Sequence, residues 1–180
     1  MPSRSPKPSS VPGCSVAEDA AMNLEIRPAA EADVPLILTL IRELADYERL
    51  SHEVVATEEA LRDSLFGKRR FAEVLLGYGG GSPAAFALFF HNFSTFLGKP
   101  GIYLEDLYVK PEFRGAGIGR ALLVQVAKLA RERGCGRLEW SVLDWNEPAI
   151  GFYRRIGASP ASGWTVYRVT GEALEDLAGR

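Results

Sequence analysis

From Asp33 onward the apolar positions Val34, Ile37, Leu38, Ile41, Leu44 and Ala45 recur at the spacing of one helical face, which predicts a helix to about Tyr47 with Asp33 as N-cap and Pro35 in its first turn. A short second helix is predicted from Thr57-Glu58-Glu59 to Gly67. The pattern then shortens: Phe71–Tyr78 and Ala84–Phe90 flank Gly79-Gly80-Gly81-Ser82 and predict an antiparallel hairpin. After a loop over Asn92–Gly101 come a strand over Ile102–Val109, a glycine-rich turn, and a helix to about Gly134 with Leu122, Leu123, Val126, Leu129 and Ala130 on one stripe. Leu138–Leu143 is predicted as the next strand. Asn146 is predicted to cap a helix that carries Glu147 and Pro148 in its first turn and ends at Gly157. A last strand over Trp164–Val169 and a short helix over Ala173–Ala178 complete the chain, and the first strand begins near Met22-Asn23-Leu24. A helix pair, antiparallel strands, then strand, helix, strand, helix and strand imply an α/β fold with one mixed sheet and helices on both faces.

The segment Arg114-Gly115-Ala116-Gly117-Ile118-Gly119-Arg120 carries the chemistry. Glycines at 115, 117 and 119 let successive backbone N–H groups point at one ligand from close range, and the helix that follows adds the positive end of its dipole. Arg114 and Arg120 bracket the turn with charges suited to phosphate, so a diphosphate-bearing ligand is the expected guest. The spacing is Gly-x-Gly-x-Gly, not the Gly-x-Gly-x-x-Gly of a dinucleotide fold, and no Gly-Lys-Ser/Thr of a P-loop follows.

Composition narrows the partners. The 180 residues are 47% apolar, enough for one compact domain, and a net charge of −2 with interspersed signs gives no basic face for nucleic acid. No apolar run approaches the ~20 residues of a bilayer span, so no membrane partner is expected. The first 21 residues are rich in Ser, Pro and Lys, then in Ala and acids, and are expected to be disordered; they are equally compatible with an extension upstream of the true start. Residues 22–180 are expected to form the functional domain. Cys14 and Cys135 form neither a disulfide framework nor a metal spacing, so no metal is expected and a reducing cytoplasm is the default. His52 and His91 have no partner pattern, and nothing near Cys135 in sequence would lower its pKa.

Arg114-Gly115-Ala116-Gly117-Ile118-Gly119 resembles the pyrophosphate-binding pattern of the GNAT acyl-CoA N-acyltransferases. Ile26-Arg27-Pro28-Ala29, Glu43 to Glu48, Tyr103-Leu104-Glu105-Asp106, Val142 to Ala149, Phe152-Tyr153-Arg154 and Gly171 to Leu174 are similar, in order, to the diamine (spermidine/spermine) and thialysine acetyltransferase branch. The resemblance covers roughly residues 24 to 180. It implies a single domain with a mainly antiparallel sheet, two parallel strands splayed apart near Val109 and Leu143, and the pantetheine arm of acetyl-CoA entering the gap. Leu107, Tyr108, Val109, Asn146 and Tyr153 would then join Arg114, Gly115, Ala116, Gly117, Ile118, Gly119 and Arg120 in holding that cosubstrate.

An alkylammonium with a pKa of ~10.4 must lose a proton before it attacks a thioester, and the departing thiolate benefits from a donor. The resemblance assigns the donor to Tyr153, and Glu105 is the best candidate for the acceptor, alone or through water. On an extended strand Glu105 and Asp106 point to opposite faces. Tyr47, Glu48, Glu105, Asp106 and Asp144 are the candidates for binding the substrate ammonium, with Glu48 as anchor and Trp164 at the border of the acceptor site. The loop Asn92 to Gly98 has no acid, unlike polyamine-type relatives, and Ser94-Thr95 resembles the thialysine branch. The expected activity is acetyl transfer to the side-chain amine of a lysine-like amino acid, with weak activity on spermidine or spermine and a homodimeric assembly as in related enzymes. A catalytically idle acyl-CoA-binding domain and a peptide N-terminal acetyltransferase are the alternative readings.

Overall fold

The computed structural model describes residues 23–161, 163 and 165–179. They fall into two compact units, one ending at Trp140 and one beginning at Ser141.

The first unit is built on strands β1 (Leu24–Pro28), β2 (Glu73–Gly79), β3 (Ser82–Ser94), β4 (Lys99–Val109) and β5 (Leu138–Trp140), ordered β1-β2-β3-β4-β5. Neighbours from β1 to β4 are antiparallel and β4–β5 is parallel, so the sheet is mixed and mainly antiparallel. Helices α1 (Val34–Glu48) and α2 (Glu58–Phe66) cover one face, where Ile37, Leu40, Leu44 and Leu65 pack with Val74, Leu76, Phe86 and Tyr108. Helix α3 (Ile118–Glu132) lies on the other, close enough that a Cβ at Gly77 would stand 3.3 Å from Ile118 Cγ2.

Local signals explain most element ends. Thr57 caps α2 by accepting from the Ala60 N–H at 3.2 Å. The β2–β3 hairpin closes on Gly80 and Gly81 between the Gly79↔Ser82 pair, both with positive φ (+58° and +82°), as the tightest hairpin turns require. Asp33 stands at the N-cap of α1 but does not cap it: its carboxylate accepts from the Ala30 N–H at 2.7 Å and holds Arg27 through two bonds of 2.7 and 2.8 Å, tying β1 to the helix start.

The hairpin arms run longer than predicted, β3 to Ser94 and β4 from Lys99, which reduces the Asn92–Gly101 loop to a tight turn. Within it the buried Ser94 accepts from the Leu97 N–H at 3.3 Å, so the hydroxyl shapes the turn. The strand predicted over Leu138–Leu143 stops at Trp140. Its last pair is Leu104↔Trp140, and the next residue of β4, Glu105, is a β-bulge between Leu88↔Asp106 and Phe89↔Leu104. A bulge bends its strand and breaks the ladder, so the parallel pairing ends where the bulge begins.

The second unit holds α4 (Glu147–Arg155) and α5 (Glu172–Ala178). Asn146 caps α4 as predicted, its Oδ1 accepting from the Ala149 N–H at 3.3 Å, and Gly157 follows the helix at φ +90°. The predicted last strand is not formed over Thr165–Val169, where Val166 and Tyr167 are exposed: alternation supplies β propensity, but a strand needs a partner ladder. Trp164 and the stretch expected to be disordered, Met1–Ala21, lie outside the described residues.

Candidate active site

Two features of the first unit meet along β4. The first is the glycine turn. Gly115 and Gly117 both have φ +81°, which only glycine adopts at low cost, and a Cβ at either would meet no protein atom within 4 Å. The space in front of the turn is therefore open to a guest. Gly117 is the N-cap of α3, and having no side chain it leaves the first-turn N–H groups to whatever binds there. Gly119 serves packing, since a Cβ there would stand 3.3 Å from Val109 Cγ2. Ala116 and Arg120 are exposed on the turn and Ile118 is its buried anchor.

Arg114 is folded back, not projecting forward. Its Nε donates to the Val109 carbonyl at 2.9 Å, and its guanidinium lies 4.4 Å from the centre of the Tyr47 ring and 5.9 Å from that of Tyr108. Tyr108 is buried in the core beside α1, its hydroxyl pushed up first by burial and then by the charge of Glu43. The Lys110 N–H donates to the Ala84 carbonyl on β3 at 2.9 Å. Because N–H groups alternate between strand edges, those of Val109 and Leu107 face the other edge, along which β5 pairs no further than Leu104.

The second feature is an acidic cavity of about 150 Å³ on the α1 face, lined by Ile41, Leu44, Ala45 and Glu48 of α1, by Leu50, Glu53 and Val54 beyond it, and by Asp106 of β4. Helix α1 ends in a Schellman motif, with the Leu50 N–H on the Ala45 carbonyl at 2.8 Å and the Arg49 N–H on that of Asp46 at 3.1 Å. Arg49 occupies the left-handed position at φ +64°, and the turned chain then forms the 3-10 turn Ser51–Glu53 that brings Glu53 and Val54 to the cavity. Burial raises the carboxyl of Glu48. Asp106 is pushed up to about 7, first by burial and then by the charges of Glu105 and Glu48.

The sequence-predicted residues thus divide. Glu48 and Asp106 share the cavity, Tyr47 lies beneath Arg114, and Glu105 is exposed on the bulge. In the second unit Asn146 is buried, and Tyr153 lies on α4 with its ring 5.3 Å from that of Phe152. Glu53 was missed by sequence reasoning: it lies outside any periodic element, and no glycine announces the left-handed turn that delivers it. Among the described residues no His, Cys, Asp and Glu group is able to hold a metal, and no helix is long and apolar enough to cross a membrane.

A glycine turn at a helix N-terminus beside an interrupted parallel strand pair, with carboxylates on the opposite face, is an acyltransferase arrangement, and the chain belongs to the acetyltransferase (GNAT) family, which it matches over residues 38–158. GNAT acetyltransferases use acetyl-CoA as cosubstrate, and the protein is an N-acetyltransferase. It is 45% identical to the thialysine N-epsilon-acetyltransferase of Bos taurus, over 86% of this chain and 97% of that one. To an L-ornithine N5-acetyltransferase of Arabidopsis thaliana it is 34% identical, over 98% and 96%. Among solved structures an integron cassette protein from the mobile metagenome of V. cholerae superposes with a TM-score of 0.75 at 27% identity, covering 88% of this chain and 99% of that one.

Proposed function

We propose that the protein transfers the acetyl group of acetyl-CoA to the side-chain amine of a lysine-like amino acid such as thialysine, by direct attack. The observation that carries the acceptor half is the cavity in which Glu48, Glu53 and Asp106 stand among Ile41, Leu44, Ala45, Leu50 and Val54. Carboxylates in apolar walls suit an alkyl chain ending in one ammonium group. The names of the relatives, N-epsilon-acetylation of thialysine and N5-acetylation of L-ornithine, are those of side-chain amines.

The open glycine turn fits a diphosphate: the N–H groups of Gly115 to Arg120 receive it, with Arg114 released from Tyr47 or Arg120 adding charge. Acetyl-CoA supplies the activated acetyl thioester. Leu107, Tyr108 and Val109 line its arm, and the edge-facing N–H groups of Leu107 and Val109 steady it and the carbonyl oxygen under attack. Asn146 stands beside the same arm in this reading. Glu48 anchors the ammonium with Tyr47 and Asp106 beside it, Glu105 takes up its proton, alone or through water, and Tyr153 gives a proton to the departing thiolate. Trp164, outside the described residues, is assigned to the acceptor border on the resemblance alone. Residues 22–180 act as the catalytic domain, in a homodimer in the cytoplasm, for which the exposed Phe93, Phe96 and Leu97 at the β3–β4 tip offer an apolar surface.

The test is kcat/KM for thialysine, lysine, ornithine, putrescine and spermidine at one ionic strength, because screening alters multiply charged substrates most. We expect the amino acids to exceed spermidine; spermidine tenfold better than thialysine would overturn the acceptor class.

A further inference from the structure

Resting on the acetyl-transfer reading, we propose that Arg137 and Glu139 at β5 form a second acceptor subsite, which holds the α-carboxylate and α-ammonium of an amino-acid substrate and discriminates against polyamines. The pair lies on the sheet face that carries Asp106, further along the strands. Leu88 packs against the α1 core and pairs with Asp106 of the cavity wall. Side chains on one face recur at every second residue, so Phe90 and Asn92 continue this face along β3. Phe90 pairs with Tyr103, Asn92 with Gly101, and Tyr103 in turn with Glu139. The side chains confirm the shared face: the Phe90 and Tyr103 rings lie 5.4 Å apart, and Asn92 Nδ2 donates to Glu139 Oε2 at 2.8 Å across β4.

Arg137 sits beside Gly101, its carbonyl accepting from the Ile102 N–H at 3.1 Å. A Cβ on Gly101 would stand 2.9 Å from Arg137 Cγ, so the arginine stem lies flat over bare backbone. It leans toward Glu139, with Nε 2.7 Å from Oε2. Both contacts to Glu139 fall on Oε2, and both side chains are partly exposed. Among the described residues nothing else binds Glu139 Oε1 or the two Nη nitrogens of Arg137. The step from Leu88 to Phe90 along unbroken β3 spans roughly 7 Å. An extended lysine side chain holds its amine about 6 Å from its α-carbon. An amine in the cavity beside Asp106 therefore brings the α-carbon to the row of Glu139, with the methylenes or thioether over the Phe90–Tyr103 pair. At that row the head group of an amino acid is a zwitterion and the ion pair is its complement. The planar Nη fork of Arg137 receives the carboxylate, and Glu139 Oε1 receives the ammonium. A polyamine of similar reach brings a second cation and no carboxylate, so the guanidinium opposes it.

Turnover of any amine by the wild-type protein tests the acetyl-transfer reading alone, and acetylation of none would remove that reading. The subsite is tested with acceptors that share one side-chain amine and differ in the head group. These are lysine, lysinamide with a neutral carboxamide, cadaverine with no carboxyl group, and Nα-acetyl-lysine with no α-ammonium. In wild type we expect kcat/KM for lysine to exceed that for lysinamide and for cadaverine roughly 10- to 100-fold. In Arg137→Gln the lysine value should fall by about that factor while the cadaverine value holds or rises; Arg137→Lys, which keeps the charge but not the fork, should retain part of the preference. In Glu139→Gln the preference for lysine over Nα-acetyl-lysine should shrink. Acetyl-CoA affinity should be unchanged in all three variants. Equal wild-type values for lysine and lysinamide would overturn the proposal without any variant, so it stays testable even where β5 tolerates no substitution. An Arg137→Gln protein that keeps the lysine preference would overturn it too, as would one that loses lysine and cadaverine turnover alike.

Discussion

The glycine turn and the acidic cavity flank the same strand and are made by opposite means. The turn is contiguous, from Arg114 to Arg120, and its shape comes from the backbone freedom of its own residues, Gly115 and Gly117 both at φ +81°. The cavity draws on α1, the 3-10 turn after it and β4, and no short segment contains it. A contiguous site is damaged by a change in its own backbone. An assembled one depends on how distant groups meet, and its properties belong to the group: the carboxyl of Asp106 is raised first by burial and then by the charges of Glu105 and of Glu48, the last of which only folding brings near.

The largest effect should come from Gly117→Val, which puts a β-branched side chain at φ +81° and into the open space before the turn. Acetyl-CoA affinity should drop roughly 100-fold or more, with ~1–3 kcal/mol of backbone strain adding to the steric block, while circular dichroism shows a folded protein. Unchanged affinity by calorimetry would mean that the turn is not the cosubstrate site, and the comparison would lose one of its members.

Next in size is a stability effect on the cavity. Asp106 is pushed up to about 7 in the folded protein from an ordinary value near 3.8, so the folded state binds more protons between those values. Its contribution to stability is fully present below pH ~4 and is lost as pH rises through about 7, amounting to about 4 kcal/mol at most. Asp106→Asn should therefore raise Tm more at pH 8 than at pH 4, by ~5 °C or more. Melting curves that differ equally at the two pH values would show that this carboxylate is not held at a cost.

The smallest expected effect is at Arg49, a non-glycine residue at φ +64° in the turn that delivers Glu53. Arg49→Gly keeps the left-handed turn and relieves its strain, so stability should rise by about 0.5–1 kcal/mol in a denaturant titration, with acetyl-CoA affinity unaltered. A loss of stability would show that the Arg49 side chain, not the turn alone, holds the cavity wall.

What was legible in the sequence was what neighbours in the chain decide. The apolar faces of α1 and α3, the helix start at Thr57, the cap at Asn146, and the φ-permissive glycines of the anion turn depend on residues within one or two helical turns, so spacing and residue type sufficed. Asp33 marks the boundary of that rule. Its position as N-cap was readable, but its carboxylate is committed to the Ala30 N–H and to Arg27, whose Nη2 also donates to Tyr78 of β2 at 2.7 Å, a contact only the folded sheet supplies. Pairing and phase were decided by the tertiary structure alone. Leu138–Leu143 has strand character throughout, yet its ladder stops at Trp140, and Thr165–Val169 alternates without forming a strand, because β hydrogen bonds need a second segment that composition does not name. The bulge at Glu105 is of the same kind. One inserted residue, set by the register of β3 against β4, changes which of two adjacent carboxylates meets Glu48, and that register is a property of the sheet, not of the residues Glu105 and Asp106.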